Sequence, residues 1–186
     1  MDLNDFSYFL PEKLIAQHPR PHRGTSRMMV LRRVGKNIEH SHFHRLPEYL
    51  HKGDVLVLND SRVIPAKIYG KKSTGAIIEI LLLNRCRDDA DPQVWEVMAR
   101  PAKRIAENDE IDLGHGCRAK VLSRLSDKKW LMSFSADGGF QNYLERFGRA
   151  PLPPYIKRRK NADPDQVTDR ERYQTVYAKT DGSIAA

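Results

Sequence analysis

Ala66-Lys67-Ile68-Tyr69-Gly70-Lys71-Lys72-Ser73-Thr74-Gly75-Ala76-Ile77-Ile78-Glu79-Ile80-Leu81-Leu82-Leu83 opens the part of the chain that decides the fold. Two β-type segments, 66–69 and 76–83, flank a Lys72-Ser73-Thr74-Gly75 turn, and this texture continues to residue 134. Further short segments fall at 94–98, 110–113, 118–125 and 130–134, separated by turn formers at 88–92, 114–116 and 126–128. Short strands at this spacing predict a small antiparallel barrel or sandwich. Phe140, Tyr143, Leu144 and Phe147 then follow the i, i+3, i+4, i+7 rule of an amphipathic helix, closed by Gly148.

Upstream, Asp54-Val55-Leu56-Val57-Leu58 is a nearly continuous apolar run, the pattern of a strand buried on both faces. Residues 26–32 and 37–43 read as two strands around a Gly35-Lys36 turn, and 46–51 as a short helix. The opening segment reads as an extended piece at 6–9 followed by a helical turn at 11–17, where Pro11 suits the first helical position. Downstream, Pro151-Leu152-Pro153-Pro154-Tyr155 leads into a charged segment that runs to Arg172.

The chain has 186 residues, 40% hydrophobic and 30% charged, with 11 Gly and 11 Pro and no low-complexity tract. This excludes a disulfide-stapled miniprotein and a disordered or collagenous chain. The longest apolar run, 76–83, is broken by Glu79 and far below the roughly 20 residues of a spanning helix, so no membrane partner is expected. The N-terminus Met1-Asp2-Leu3-Asn4-Asp5 is acidic where a secretory signal would be basic, which predicts a cytoplasmic protein. Cys86 and Cys117 fit neither a disulfide framework nor a zinc ribbon and read as free thiols. Thirty-two Lys and Arg against 24 Asp and Glu give a net charge of +8, which favours a polyanionic partner such as nucleic acid.

Several clusters carry possible chemistry. Lys71-Lys72-Ser73-Thr74 is not a phosphate loop, because Pro65 stands where the loop needs Gly and Lys72 occupies the Ser/Thr slot. His40, His42 and His44 alternate, so a strand would put them on one face; the choice is between a metal site and a solvated face, and no metal site is expected. Asn59-Asp60-Ser61-Arg62 offers an amide, a carboxylate, a hydroxyl and a guanidinium directly after the apolar run, where a ligand can enter. An Asx-type turn with Arg62 paired to Asp60 explains the same residues structurally. Arg100-Pro101-Ala102-Lys103-Arg104 is a basic cluster fit for phosphate or carboxylate, or a solvated loop. Lys157-Arg158-Arg159-Lys160, near Tyr155, Arg170, Arg172 and Tyr173, combines charges, guanidinium forks and aromatic faces suited to RNA, or forms a charged linker.

Several stretches taken together resemble one family. These are Asp5-Phe6, Leu10-Pro11 and Leu14-Ile15-Ala16-Gln17; Ser26-Arg27; His42-Phe43; Gly53 through Ala66; Ala99-Arg100-Pro101; Pro151 through Ile156; and Arg172-Tyr173-Gln174-Thr175-Val176-Tyr177-Ala178. In order and spacing across nearly the whole chain they are similar to the S-adenosylmethionine:tRNA ribosyltransferase-isomerases of queuosine biosynthesis. In that family Gly182-Ser183-Ile184-Ala185-Ala186 runs on into a Pro-Thr-Ala-Gly-Leu-His-Phe motif and a further α/β portion. The resemblance is therefore to the N-terminal part, and the activity of this stretch by itself stays open.

The resemblance implies an α/β core domain from residues 1–66 and 151–186, with an all-β barrel, 67–150, inserted between. It implies transfer and isomerisation of the ribosyl group of S-adenosylmethionine onto 7-aminomethyl-7-deazaguanine of tRNA with a GUN anticodon. Epoxyqueuosine-tRNA, adenine and methionine are the products. S-adenosylmethionine is a substrate, so no cofactor is expected, and a monomer is. Asp60 is assigned to the cation or ribose hydroxyls, and Arg62 and Arg100 to tRNA phosphate or the methionine carboxylate. Asn59, Ser61, Tyr155, Arg172, Tyr173 and Gln174 are assigned to substrate binding and Lys157, Arg158, Arg159 and Lys160 to RNA; the general base is left unnamed. The competing readings are a non-catalytic RNA-binding β-barrel module and a structural β domain whose charge is incidental.

Overall fold

A computed structural model describes residues 2–86, 93–158 and 163–184. The turn expected at 88–92 lies outside the described residues. By internal contacts the chain divides into two compact units, Met1–Leu58 with Pro154–Lys157, and Asn59–Pro153 with Arg158–Ala186.

In the first unit the expected hairpin forms: β1 (Arg27–Leu31) pairs antiparallel with β2 (Ile38–His42). Gly35 and Lys36, with φ of +82° and +50°, take the left-handed conformations that a tight reversal needs. The rest is 3-10 turns at Leu3–Phe6, Glu12–Leu14, Arg23–Thr25 and Phe43–Tyr49. The last of these stands where a helix was expected at 46–51. Gln17 ties in the distant segment, donating to the Tyr155 carbonyl at 3.0 Å and accepting from the Lys157 N–H at 2.7 Å.

The apolar run 54–58 is not the doubly buried strand its composition predicts. It has no regular structure, and Val55 and Val57 are 87% and 88% exposed. Such a run becomes a buried strand only when neighbours pair its backbone and cover both faces. Among the described residues none does. Ser41 is the one buried residue described in this unit, so its exposed Leu, Phe and Val side chains form no core.

The second unit begins with a short strand, β3 (Ser61–Val63). Six strands follow: β4 (Lys67–Lys72), β5 (Ile77–Arg85), β6 (Val94–Arg100), β7 (Glu110–Gly114), β8 (Cys117–Arg124) and β9 (Lys129–Ala136). They close in the order β4-β5-β6-β9-β8-β7, all antiparallel, and the β4–β7 pairing of Lys71 with Asp112 seals the ring. Of barrel or sandwich, the chain forms the barrel. Strand alternation explains the core, because every second side chain points inward. Ile68, Ile78, Ile80, Leu82, Val97, Ile111, Val121, Met132 and Phe134 are essentially inaccessible, each contributing about 1.5–3 kcal/mol by leaving water. The Lys72–Gly75 stretch that superficially suggests a phosphate loop is the β4–β5 hairpin turn, with the Gly75 N–H donating to the Lys72 carbonyl at 2.8 Å.

Helix α1 (Phe140–Phe147) has the bounds its periodicity predicts. Its apolar face joins the barrel core: Phe140 stacks on Phe134 at 4.2 Å between centroids, and the Tyr143 hydroxyl donates to the Leu113 carbonyl at 2.7 Å. Helix α2 (Asp163–Arg172) occupies the charged segment, and β10 (Thr180–Ser183) pairs parallel with β3. A closed antiparallel barrel with two small sheets and few helices is therefore the architecture. Among the described residues no helix is long and apolar enough to cross a membrane.

Candidate functional site

Asn59, Asp60, Ser61 and Arg62 lead into and form β3, held from the far end of the chain. The Asp60 carbonyl accepts the Lys179 and Thr180 N–H groups at 2.6 and 3.3 Å, where β10 begins. The Asn59 Oδ1 accepts the Ser61 N–H at 3.0 Å, an Asx turn, and its Nδ2 donates to Thr175 Oγ1 at 3.4 Å. Asn59 thus shapes the turn, while the Asp60 and Arg62 side chains are exposed beside it.

Next to this turn lies a cleft of about 210 Å³ whose polar lining is Arg62, Gln141, Glu145, Arg170, Tyr173 and Gln174. Its walls come from β3, α1 and the end of α2. The Arg170 guanidinium donates to the Glu145 carbonyl at 2.6 Å, filling one of the acceptors that the last turn of α1 leaves open. Gln174 joins the residues after α2 to β3: Oε1 accepts from the Val63 N–H at 2.7 Å and Nε2 donates to the Val63 carbonyl at 3.1 Å. Four residues named in the sequence, Arg62, Arg170, Tyr173 and Gln174, are brought together here. Gln141 and Glu145 were not singled out, because on the polar face of an amphipathic helix a lining residue looks like any solvated one. Two guanidinium groups beside one carboxylate and a phenol suit a polar ligand that bears an anionic group.

Arg100 stands elsewhere, on the outer wall of the barrel. Tyr69, Glu79 and Arg100 lie directly opposite one another on β4, β5 and β6. Glu79 accepts a charge-assisted hydrogen bond from the Arg100 guanidinium and one from the Tyr69 hydroxyl at 2.9 Å. Burial opposes the charge on Glu79, but the hydrogen bonds from Arg100 and Tyr69 and the charge of Lys67 outweigh it and hold the carboxyl below its usual range. Tyr69 is pushed up to about 12, by burial first and then by its bond to Glu79. Lys103 and Arg104 belong to the following 3-10 turn, Ala102–Arg104, which borders a shallow, open depression.

The basic run is partly committed. The Lys157 ammonium donates to Glu12 at 2.8 Å in the first unit. In the second, the Arg158 fork grips Asp169 of α2 at 2.8 and 2.9 Å, a pair that is less than one-fifth exposed. Arg159 and Lys160 lie outside the described residues. Tyr155 is exposed in the first unit, and Arg172 is half-buried at the end of α2. His42 and His44 stack at 5.9 Å, and among the described residues no three His, Cys, Asp or Glu side chains are grouped to hold a metal. Cys86 and Cys117 are both free thiols.

The second unit is thus a closed β-barrel with an arginine-lined polar cleft beside it. The chain belongs to the queuosine biosynthesis protein family, whose sequence profile matches residues 3–186. It is 47% identical over 204 aligned positions to the S-adenosylmethionine:tRNA ribosyltransferase-isomerase of Syntrophus aciditrophicus (strain SB), covering 100% of this chain and 56% of that relative. It is also similar to a solved structure, the S-adenosylmethionine tRNA ribosyltransferase of Thermotoga maritima. That match has 36% identity and a TM-score of 0.38, covering 82% of this chain and 52% of the other. The chain thus spans about half the length of the relatives it matches.

Proposed function

We propose that this chain forms part of an enzyme that transfers and isomerises the ribosyl group of S-adenosylmethionine onto the 7-aminomethyl-7-deazaguanine of a tRNA with a GUN anticodon. Epoxyqueuosine-tRNA is formed, and adenine and methionine leave. The observation that carries this reading is the family match over residues 3–186, joined to a polar cleft to which the resembling stretches 53–66 and 172–178 contribute Arg62, Tyr173 and Gln174. In this reading the barrel, 67–150, is inserted into an α/β core to which 1–66 and 151–186 contribute. The protein acts as a cytoplasmic monomer.

The chemistry explains what such a site must hold. The sulfonium acidifies the ribose C5′ hydrogens, so a positioned base removes one and adenine is expelled. The tRNA amine then attacks, and methionine leaves as the epoxide closes. The donor carries its own activation, so no cofactor enters the scheme.

Asp60 faces the cation or the ribose hydroxyls, and Arg62 takes the methionine carboxylate or a tRNA phosphate. Tyr173 and Arg172 position the substrate, while Gln174 acts through Val63 as a positioning residue. Asn59 and Ser61 set the turn that presents Asp60. Tyr155, Arg100 and the basic run from Lys157 to Lys160 are assigned to the nucleic acid. At Lys157 and Arg158 a phosphate would compete with Glu12 and Asp169.

The test is release of adenine from S-adenosylmethionine by the full-length natural protein, with and without tRNA that carries the amine-bearing base. Release that requires this tRNA supports the reading. Tight tRNA binding with no adenine release favours the alternative, a non-catalytic RNA-binding module.

A further inference from the structure

Lys67 and Arg149 face each other across an isolated antiparallel bridge, exchanging both backbone hydrogen bonds: Lys67 N–H to the Arg149 carbonyl at 3.2 Å, and Arg149 N–H to the Lys67 carbonyl at 2.8 Å. Residues paired in this way project their side chains from the same face, and like charges placed directly opposite repel. Two residues on, along the same face of β4, Tyr69 carries the Arg149 guanidinium over its ring at 5.1 Å. Tyr69 is opposite Glu79, and Glu79 is opposite Arg100. Lys67 and Arg100 thus both act on one carboxylate, with Arg149 over the adjoining ring, and Glu79 is already engaged by Arg100 and Tyr69.

Lys67 is the group this arrangement leaves least satisfied. Its ammonium has three donors, yet among the described residues its hydrogen bond is a single long one, 3.5 Å to the Leu152 carbonyl. Burial lowers its pKa; Glu79 pulls the other way, and Arg100 and Arg149 lower it further. A half-buried ammonium that feels two nearby guanidinium charges is stabilised by an arriving anion.

We propose that Lys67, Arg149 and Arg100 form an anion site on the outer wall of the barrel that grips an RNA phosphodiester. The Tyr69–Arg149 stack is the platform on which a neighbouring unpaired base rests. Glu79 keeps Arg100 and Tyr69 in place and sets the separation of the cations. The site deepens, and rests on, the reading that the protein acts on tRNA.

The experiment is tRNA binding by the full-length natural protein against salt concentration, comparing Lys67→Met and Arg149→Gln with Lys120→Met. Lys120 is exposed on β8, across the ring from β5, so its variant removes the same charge from the opposite wall. Each of the first two variants should weaken binding several-fold at low salt and reduce the slope of log affinity against log salt by about 1. Lys67→Met should not lower the thermal midpoint, since it removes one of two opposed cations, and Lys120→Met should leave the slope unchanged. Slopes equal to that of Lys120→Met, or losses that only track unfolding, would overturn the site. Full tRNA-dependent adenine release with unaltered binding in both variants removes the site and keeps the function. Conversely, a protein indifferent to tRNA that binds oligouridylate through Lys67 and Arg149 keeps the site and removes the function.

Discussion

The side-chain amide of Gln174 pairs with both backbone groups of Val63, in the manner of one more rung on the edge of β3. Val63 is 6% exposed, so its N–H and carbonyl have no water to turn to. Replacing Gln174 with Leu should cost about 1–3 kcal/mol, the usual penalty for unpaired buried groups. Denaturant unfolding reads the loss, and faster hydrogen exchange at the Val63 amide places it. An unchanged exchange rate would show that β3 is held by β10 alone.

Gly70 faces the barrel interior, where an added Cβ would collide with the Ile111 and Leu113 side chains, and at Gly148 it would meet the Pro65 and Leu144 carbonyl oxygens. Gly70→Ala and Gly148→Ala should each destabilise the second unit by about 1–3 kcal/mol or more through overpacking. Gly75, with open space around it apart from the end of Lys71, lies outside that packing. A melting curve unmoved by Gly70→Ala would mean that β4 and β7 do not close the ring.

The six barrel strands and α1 were legible because a buried face imposes its own period on the sequence. Every second residue from Ile78 to Leu82 must be apolar, and so must four positions of α1. The parallel β3–β10 pair was not legible, since Ser61 meets Thr180 across more than a hundred residues and three residues leave no period. The run 54–58 misled for the opposite reason: its composition states what the segment needs, and the described residues do not supply it. Of the candidate site, Arg62, Arg170, Tyr173 and Gln174 were named from the sequence. The Lys67–Arg149 pair was invisible, because strand register rather than sequence spacing makes it.

The two units should differ in resistance to attack. Residues 2–58 bury almost nothing, whereas the barrel has a closed core, so limited proteolysis of the 186-residue chain should cut within 2–58 well before the barrel strands. The same chain should bind a hydrophobic dye through Phe9, Val55 and Val57, which are each more than 85% exposed. Equal cleavage in both units would contradict this.

Acid and base should each weaken the second unit, through different groups. The Glu79 carboxyl is held below its usual value in the folded protein, so the unfolded chain takes up this proton first. Its contribution is complete above about pH 4.3, the ordinary glutamate value, and is lost as pH falls below that; Glu79→Gln should remove this part of the acid sensitivity. Tyr69 and Tyr143 are pushed up to about 12, burial being the leading cause for both. Their contribution is present below about pH 10, the ordinary tyrosine value, and fades between there and 12. Ultraviolet titration should show Tyr69 and Tyr143 ionising late.

Cys117 is fully buried inside the barrel, and burial pushes its thiol up to about 12. It should therefore stay unreactive toward iodoacetamide near neutral pH until the barrel unfolds. Mass analysis after labelling checks this, and rapid modification of Cys117 in the folded chain would show that the barrel opens readily.

The mass of the tRNA base after reaction reads ribosyl transfer itself. Full-length natural protein, S-adenosylmethionine and tRNA bearing the aminomethyl base are incubated, and the digested nucleosides are analysed. The base is expected to gain the isomerised ribosyl unit, and Asp60→Ala and Arg62→Ala should cut its formation by a large factor with the thermal midpoint little changed. A base of unaltered mass, or a loss in the variants matched by unfolding alone, would contradict it.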